Sequence, residues 1–506
     1  MSKVLLINPP FNIAKSNYDT SVSVGLLNIA SYLDSRGVSV EMIDGARQSN
    51  YLERLKSEIP NCNFAAFSVM TMQVGQALKI SKLIKELNPN CKIIWGGAHP
   101  TFFPEQTIKS NLIDIVCVGE GEETILEIVS GQAKLGQSPA ERGGKDLKDI
   151  DGIVYKEGNS VVVNKARVLH DPASMPLFNW DLVPREILER LTLIPSLTSR
   201  GCPHRCTFCI NAILKNSWRP RTASQVLEDL KIIKSKDYFF AKGESASGGQ
   251  HKPIRFWDEN FFVDIARARA IIDGMIANDL IIPWETTVRA NYIRGGMIDD
   301  EFMTKLKKSG CYLLSFGAES GCPRLLKKMK KDINPEDVIN SAKSALRHSI
   351  IPQYSFMIGL PGETRAEMME TLGLIDKLVK LSSGIQILGP QVFRPYPGSE
   401  LYDECVASGW KAPQSLKEWA DLSENELSYL SIENFPWIKK SDRDFVESME
   451  AYVRFGAHSL KSAMGSSVKA QRLLKLGFVL ICQLRWKLKF FAWPIEYKLA
   501  KKFVSQ

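Results

Sequence analysis

Short apolar runs alternate with helical patterns along the first quarter of the chain. Apolar side chains at helical spacing cover 25–36 and 77–87, and a further helical pattern begins at Glu122. Strands that alternate with helices predict a doubly wound parallel sheet. The apolar runs that we interpret as its strands are 4–8, 39–43, 64–69, 93–97 and 115–119.

A second alternation begins near residue 193 and contains six apolar runs with helical patterns between them. Six such strands predict a partial βα barrel, whose active site lies at the carboxyl ends of its strands. Polar stretches at 131–148 and 241–251 are typical of a linker and a surface loop, and 152–163 predicts a hairpin. The six runs are 193–196, 254–257, 284–288, 312–317, 353–358 and 385–392.

These patterns predict an α/β fold in four regions. A doubly wound sheet occupies 1–145, a linker with a short hairpin follows at 146–192, the partial barrel covers 193–410, and a mostly helical region covers 411–506. A chain of 506 residues is long enough for several domains, each with its own core.

The composition indicates in which cellular compartment the protein works, but it does not indicate a function. The net charge of +9 is spread over a long chain, and 10 cysteines are too few for a disulfide scaffold. The N-terminus MSKVLLINPPFN lacks the apolar stretch of a signal peptide, and the sequence has no run of 18 apolar residues. We therefore expect a cytoplasmic protein, in which a tight group of cysteines serves a metal or redox site.

Three cysteines follow the first predicted barrel strand in the run CPHRCTFC, at Cys202, Cys206 and Cys209. Their spacing lets three thiolates converge on one cluster and leaves one iron open, whereas iron–sulfur clusters are usually held by four cysteines. The alternatives are a zinc site, a fully ligated ferredoxin-like cluster and buried structural thiols. Zinc sites usually bring paired cysteine or histidine groups, and His204 has no second histidine nearby.

The same run, with Phe208 before its last cysteine, resembles the CxxxCxxC signature of radical S-adenosylmethionine (SAM) enzymes. The resemblance implies a 4Fe-4S cluster on Cys202, Cys206 and Cys209, whose open iron binds SAM. It also implies that one electron, from a reductant such as flavodoxin or ferredoxin, cleaves SAM to a 5′-deoxyadenosyl radical.

Residues at the later strand ends resemble the SAM-binding positions of that family. Carboxylates at the end of a barrel strand can accept hydrogen bonds from a ribose diol or an ammonium group. The fifth-strand segment of the family meets adenine through its backbone. On this resemblance, the residues expected to bind SAM are Phe208, Asp258, Glu259, Arg289, Glu319, Ile358, Gly359 and Gly362.

The upstream sheet is similar to the Rossmann-like domain that binds cobalamin in cobalamin-dependent radical SAM enzymes. No GxGxxG opens its first helix, so it carries no dinucleotide fingerprint. The Asp-x-His-x-x-Gly motif that ligates cobalt in many cobalamin enzymes is absent, as is usual in this class, and a domain that binds no cobalamin is the alternative. The residues expected beside cobalamin are Asn8, Ser68, Gly96, Gly97, His99, Thr101, Gly119, Glu120 and Gly121.

The C-terminal segment 472–502 joins apolar and aromatic residues to lysines and arginines. This pattern is typical of a helix at a membrane interface, which would make the protein peripheral on the inner face of the membrane. A helix that packs on the protein and turns its lysines to water explains it equally well. The two interpretations remain open at this point.

The family resemblance, to class B methyltransferases and anaerobic porphyrin-ring cyclases, implies an activity. The leading hypothesis is methyl transfer from methylcobalamin to an unactivated carbon of a small molecule or lipid. The runner-up is a radical cyclisation, oxidation or carbon–carbon coupling without methyl donation, and a non-catalytic cobalamin sensor is the hypothesis from another class. We expect no nucleic-acid partner, because no basic patch with interleaved aromatics lies near the barrel.

Overall fold

A computed structural model describes residues 3–11, 22–132, 145–212, 217–240, 250–424, 432–457 and 472–504. Most of the polar stretch at 131–148 and of the predicted loop at 241–251 lies outside these residues. The chain forms two compact units. The first contains 1–199, 219–255 and 412–429, and the second contains 200–218, 256–411 and 430–506.

The first sheet has seven strands in the order β2-β1-β3-β4-β5-β6-β7. Strands β1 to β5 pair in parallel, and β6 and β7 add an antiparallel hairpin beside β5. Central strands of such sheets are covered on both faces, which explains why Val4, Leu5, Leu6 and Ile7 are all buried. The strands are β1 (Lys3–Asn8), β2 (Ser39–Asp44), β3 (Phe64–Ser68), β4 (Lys92–Gly96), β5 (Ile115–Cys117), β6 (Ile153–Glu157) and β7 (Ser160–Val163).

The second sheet has six strands in the order β15-β14-β13-β12-β11-β8, and β12 to β15 pair in parallel. Strands that follow one another in the sequence also lie side by side in this sheet, which is the arrangement of the partial barrel predicted from the sequence. Its strands are β8 (Ile194–Ser196), β11 (Ile254–Phe256), β12 (Trp284–Val288), β13 (Cys311–Glu319), β14 (Ile351–Ile358) and β15 (Gln386–Val392). Two short strands, β9 (Ser199–Arg200) and β10 (Arg219–Pro220), form a separate pair.

Nineteen α-helices lie in the described part of the chain. In the first unit they are α1 (Val24–Asp34), α2 (Tyr51–Glu58), α3 (Val74–Leu87), α4 (Ala98–Phe102), α5 (Pro104–Ile108), α6 (Glu122–Gln132), α7 (Arg185–Arg190), α8 (Ala223–Ser235) and α16 (Leu416–Glu424). In the second unit they are α9 (Ile265–Ala277), α10 (Asn291–Arg294), α11 (Asp300–Lys308), α12 (Pro323–Lys328), α13 (Pro335–Arg347), α14 (Arg365–Leu381), α15 (Glu400–Ala407), α17 (Lys440–Tyr452), α18 (Arg472–Leu488) and α19 (Ile495–Val504). None of these described helices has the length and hydrophobicity needed to cross a membrane.

Two segments lie elsewhere than the sequence pattern indicates. The hairpin β6–β7 extends the first sheet, whereas we expected it to lead into the barrel. Residues 411–506 were predicted as one helical region after the barrel, but α16 packs against α3 in the first unit. Its buried side chains Leu416, Trp419 and Leu422 join the apolar core of that unit, which drives this placement.

Trp419 of α16 covers a histidine at the end of the first sheet. Its ring lies 5.4 Å from the His99 ring and 5.0 Å from the Phe103 ring, and its Nε1 donates to Oε1 of Gln106 at 3.1 Å. His99 is fully buried, and burial lowers its pKa to about 3. The histidine is therefore neutral and enclosed.

We predict that Trp419→Ala destabilises the first unit by about 3 kcal/mol, because it leaves a cavity in a packed aromatic cluster. Thermal unfolding of the purified full-length chain measures the loss. Trp493→Ala is the matched control, since Trp493 is 75% exposed and removal of its ring leaves no cavity. Equal unfolding temperatures for the two variants would contradict the packing of α16 on α3.

Candidate active site

The cysteine loop begins at a backbone position that only glycine fits. Gly201 has φ of +79°, and a Cβ there would lie 1.9 Å from the carbonyl oxygen of Ser217. Further along, Thr207 donates its N–H to the carbonyl of Met329 at 3.1 Å and accepts from the N–H of Leu401 at 3.0 Å. Backbone contacts at both ends thus fix the path of the loop.

The three thiols of this loop lie close enough to influence each other electrostatically. Burial raises the pKa of Cys202 and of Cys209, and the neighbouring cysteines raise it further. The N–H groups of His204 and Asn211 donate to Cys202 and Cys209 respectively and oppose this rise. Such N–H donors favour thiolates, which is the form that binds iron.

Arg289 brings a positive charge to the second cysteine, Cys206. It follows β12, is buried, and its Nη1 lies 3.8 Å from Sγ of Cys206. Its Nη2 donates to the carbonyl of Lys331, which fixes the guanidinium in place. The sequence predicted Arg289 as a SAM residue; the structure places it against the cysteine loop.

His204 takes part in a hydrogen-bonded chain that ties the loop to the second strand end. Its Nε2 lies 3.0 Å from the hydroxyl of Tyr292, and that hydroxyl accepts from Nδ2 of Asn260 at 2.7 Å. Burial and, second to it, the positive charge of Arg289 lower the pKa of His204 to about 4. A neutral histidine engaged with Tyr292 orients the loop.

A buried ion pair lies beside Phe208. Nζ of Lys331 is 2.8 Å from Oε1 of Glu319 and 5.6 Å from the centre of the Phe208 ring. Glu319 ends β13 with φ of +62°, an unfavourable conformation for a residue with a side chain. A Cβ at Gly317 would lie 2.2 Å from Oε1 of Glu319, so glycine at that position makes room for the pair.

The two predicted carboxylates after β11 have different surroundings. Asp258 is buried, and its carbonyl accepts from the hydroxyl of Thr287 at 2.8 Å. Glu259 is exposed and accepts a hydrogen bond from the N–H of Gly201. Glu259 therefore contacts the residue before the cysteine loop, and the contact of both carboxylates with SAM stays a prediction.

The segment after β14 is held by its own side chains. Gly359 has φ of +78°, donates its N–H to Oε2 of Glu363, and accepts from Nε1 of Trp437 at 2.9 Å. The carbonyl of Ile358 accepts from Phe393, and that of Gly362 accepts from Arg324. These backbone groups are engaged within the protein, so the expected adenine contacts stay a prediction.

The chemistry of the loop fits a cluster. No group of three or more His, Cys, Asp or Glu side chains within the described ranges is placed to hold a single metal ion. The N–H donors and Arg289 supply what three thiolates on such a cluster need.

In the first unit, a polar network closes the carboxyl ends of β1 and β3. Nδ2 of Asn8 donates to Asp44 at 2.9 Å, and Nε2 of Gln73 donates to Oδ1 of Asn8 at 2.9 Å. Oε1 of Gln73 accepts from the N–H of Met70, whose side chain is 53% exposed. Strands β1 and β3 flank the point where the strand order reverses, which is where doubly wound sheets bind ligands.

The ends of β4 and β5 are joined by Thr101. Its hydroxyl donates to the carbonyl of Gly97 at 2.7 Å and accepts from the N–H of Gly119 at 3.0 Å. Gly97 has φ of +93°, and a Cβ there would meet Ser68 and the backbone of Val69. Gly119 has φ of +86°, and no atom lies within 4 Å of the position that a Cβ would take there.

The remaining predicted cobalamin residues are engaged elsewhere. His99 is enclosed by Phe103 and Trp419, so it cannot touch a ligand without movement. The carboxylate of Glu120 pairs with Arg219 at 2.6 Å, and a Cβ at Gly121 would lie 3.2 Å from Ile29 on α1. The carbonyl of Gly96, at the end of β4, accepts a hydrogen bond from the N–H of Val69.

Sequence reasoning did not identify several of these residues. Lys331 lies in the run KKMKKD, which reads as an exposed charged stretch. Gln73 and Trp437 act through contacts that no motif signals. Tyr292 could have been suspected, because it comes three residues after Arg289 at the end of a barrel strand.

We predict that Gly201→Ala lowers the iron bound per chain to less than about a fifth of the wild-type value, because its Cβ would displace Ser217 and the loop. Iron analysis and the absorption spectrum after anaerobic reconstitution measure this. Gly296→Ala is the matched control, since Gly296 has φ of +68° but nothing within 4 Å of its Cβ position. Equal iron content in the two variants would contradict the assigned role of Gly201.

Glu363 makes stability depend on pH. Burial raises its pKa to about 7 against an ordinary value of 4.5, so the fold favours the neutral acid. The wild-type chain should therefore lose stability as pH rises from 4.5 through 7, and Glu363→Gln should gain relative to it by about 3 kcal/mol above pH 7. Thermal unfolding of both proteins from pH 4 to 8 measures the difference.

Glu367→Gln is the matched control and should behave in the opposite way. The Arg324 guanidinium holds the pKa of Glu367 at about 2, so its charged form stabilises the fold above pH 4.5. This variant should be less stable than the wild type across that range. A constant difference between Glu363→Gln and the wild type would refute the raised pKa.

Comparison with known proteins adds two family matches. The B12 binding domain family matches residues 11–129, and the radical SAM superfamily matches residues 196–375. An uncharacterised methyltransferase from Pyrococcus horikoshii is 29% identical, with 83% of this chain and 86% of that protein covered. An anaerobic magnesium-protoporphyrin IX monomethyl ester cyclase from Cereibacter sphaeroides is 24% identical, with 75% and 58% covered.

A solved structure shares the fold. The cobalamin-dependent SAM radical enzyme OxsB, with aqua-cobalamin and SAM bound, has a TM-score of 0.68 at 17% identity, with 99% of this chain and 81% of OxsB covered. The predictions of fold class and of a 4Fe-4S cluster, SAM and cobalamin as cofactors are confirmed. With a B12 binding domain followed by a radical SAM domain, the chain belongs to the cobalamin-dependent radical SAM enzymes.

Proposed function

We propose that this enzyme transfers a methyl group to an unactivated carbon of a small-molecule or lipid substrate. The observation that carries the proposal is a B12 binding domain in one chain with a three-cysteine loop, in which backbone N–H groups donate to Cys202 and Cys209 and Arg289 lies 3.8 Å from the sulfur of Cys206. The relative named as a methyltransferase is covered over 86% of its length, against 58% for the cyclase. The likeness to the methyltransferase therefore extends over more of the whole protein.

When bound, the cluster and one SAM would supply a 5′-deoxyadenosyl radical, and cobalamin would supply a methyl group that it takes from a second SAM. The residues of the chain position these groups. Arg289 holds its guanidinium beside the sulfur of Cys206, and Tyr292 orients the loop through His204. Glu319 offers carboxylate oxygens to the ribose hydroxyls or ammonium group of SAM.

Cyclisation, oxidation or carbon–carbon coupling without methyl donation is the second candidate, favoured by the likeness to the cyclase. Either reaction needs one electron for each cleavage of SAM, which we expect from a flavodoxin or ferredoxin. We also propose that the enzyme works as a peripheral protein at a membrane surface.

Deuterated methyl-SAM separates the two reactions. The anaerobically reconstituted enzyme, given this SAM, a strong reductant and a lipid and metabolite extract, should form 5′-deoxyadenosine and a product that carries the deuterated methyl group. Mass spectrometry measures both. The radical step and methyl transfer share the cluster, so Cys206→Ala should lower both products at least about 100-fold.

Cys405→Ala is the control, because it removes a buried thiol outside the cysteine loop and should leave both products unchanged. 5′-Deoxyadenosine without labelled product would reject methyl transfer in favour of the second candidate. Failure to form any 5′-deoxyadenosine would reject both reactions.

A further inference from the structure

The C-terminal helices α18 and α19 concentrate exposed apolar side chains. Twenty large hydrophobic side chains are exposed among the described residues, and eight of them lie between residues 480 and 499. Isolated exposed apolar residues are normal, whereas a contiguous group marks an interaction surface. The eight residues, which we name the outer face, are Leu480, Ile481, Leu484, Leu488, Phe490, Trp493, Ile495 and Leu499.

The opposite side of the same segment packs within the second unit. Val479, Cys482, Trp486 and Phe491 are buried there. The residues 480, 481, 484 and 488 of the outer face follow helical spacing, so α18 has two apolar faces, of which the part of the chain that the structure describes covers one. The packing of the helix within the protein therefore does not explain the outer face.

Specific contacts hold the segment in place. Nε1 of Trp486 donates to Oδ1 of Asp376 on α14 at 3.0 Å, and Nζ of Lys489 lies 3.0 Å from the same oxygen. Arg485 on α18 pairs with Glu496 on α19 at 2.6 Å and donates to the carbonyls of Ala492 and Trp493. The two helices thus form a braced hairpin that presents the outer face.

The turn between the helices exposes its aromatic side chains. Trp493 has φ of +48° and is 75% exposed, and Phe490 beside it is 49% exposed, with their rings 6.2 Å apart. A left-handed backbone is unfavourable for a bulky residue and persists where the surroundings impose it. Tryptophan is also the side chain that favours the boundary between lipid and water.

The charge of the hairpin identifies its partner. Residues 472–504 contain eight lysines and arginines and one acidic residue, Glu496, so this segment accounts for +7 of the net charge of +9. The single acid is paired with Arg485. Lys487 is exposed, and Lys498 is exposed but paired with Asp444 at 2.6 Å. An apolar face flanked by cations complements a surface that is apolar beneath and anionic at its edge, which is an anionic lipid bilayer.

We infer that the α18–α19 hairpin docks on an anionic bilayer, with the outer face among the acyl chains and its lysines at the headgroups. This inference names the residues and the lipid class of the membrane contact proposed above. It stands on the contacts of the hairpin and holds whichever reaction the enzyme catalyses. A second copy of this chain is the other occupant that the outer face could take.

Vesicle co-sedimentation of the full-length protein tests the inference. The wild type should bind vesicles of phosphatidylcholine with about 30% phosphatidylglycerol, bind vesicles of phosphatidylcholine alone more weakly, and lose affinity as salt is raised. Leu484→Ser with Leu488→Ser should weaken binding at least about tenfold, because two large apolar groups no longer enter the lipid. Point variants are used because Val479, Cys482 and Trp486 pack within the unit, where truncation would disturb the fold.

Two variants separate docking from folding. Trp493→Gly removes the ring yet suits the positive φ, so it should keep the hairpin and weaken binding. Leu52→Ser with Leu381→Ser is the matched control, because both leucines are exposed elsewhere, and it should bind like the wild type. All variants should cleave SAM at the wild-type rate, so loss of vesicle binding alone is distinct from failure of the proposed reaction.

Three results would overturn the inference. They are no binding of the wild type to anionic vesicles, equal binding by the outer-face variants and the control pair, and equal affinity for vesicles with and without phosphatidylglycerol. Analytical ultracentrifugation adds a fourth: a wild-type dimer that the outer-face variants convert to monomer, without vesicle binding, would assign this surface to a second copy.

Discussion

Three thiolates in one short loop repel one another, and the second unit is built around that constraint. Each charged sulfur needs a donor or a cation nearby, because burial favours the neutral thiol. The N–H groups of His204 and Asn211 and the guanidinium of Arg289 meet this need from inside and outside the loop. The loop can provide these donors only on one path, and Gly201 permits that path.

The ends of the parallel strands supply the rest of the site. Arg289 follows β12 and Glu319 ends β13, and each is held by Lys331, through its carbonyl in one case and its ammonium group in the other. One residue therefore couples two neighbouring strand ends. The first unit uses neutral groups in the same way, since Gln73 joins β1 to β3 and Thr101 joins β4 to β5.

The strands and the cysteine loop were predictable because their signals are local. Apolar runs such as Val4–Ile7 are buried on both faces, and the cysteine spacing is contained in eight residues. Lys331 was not predictable, because a lysine in a charged run gives no sign that it is buried against Glu319. The packing of Trp419 over His99 was not predictable for another reason. Trp419 and its hydrogen-bond partner Gln106 are 313 residues apart in sequence. Contacts of that range leave no periodic pattern.

Helix α16 belongs to the first unit but follows the barrel in the sequence, and this order affects how the protein folds during its synthesis. A ribosome releases residues 416–424 only after the whole barrel sequence has been synthesised, yet Leu416, Trp419 and Leu422 belong to the core of the unit that begins at the N-terminus. Domains generally fold as they emerge, N-terminal first. Here the N-terminal unit must wait with an unfilled core until its last helix is translated, so its folding is completed after translation of the barrel and not before.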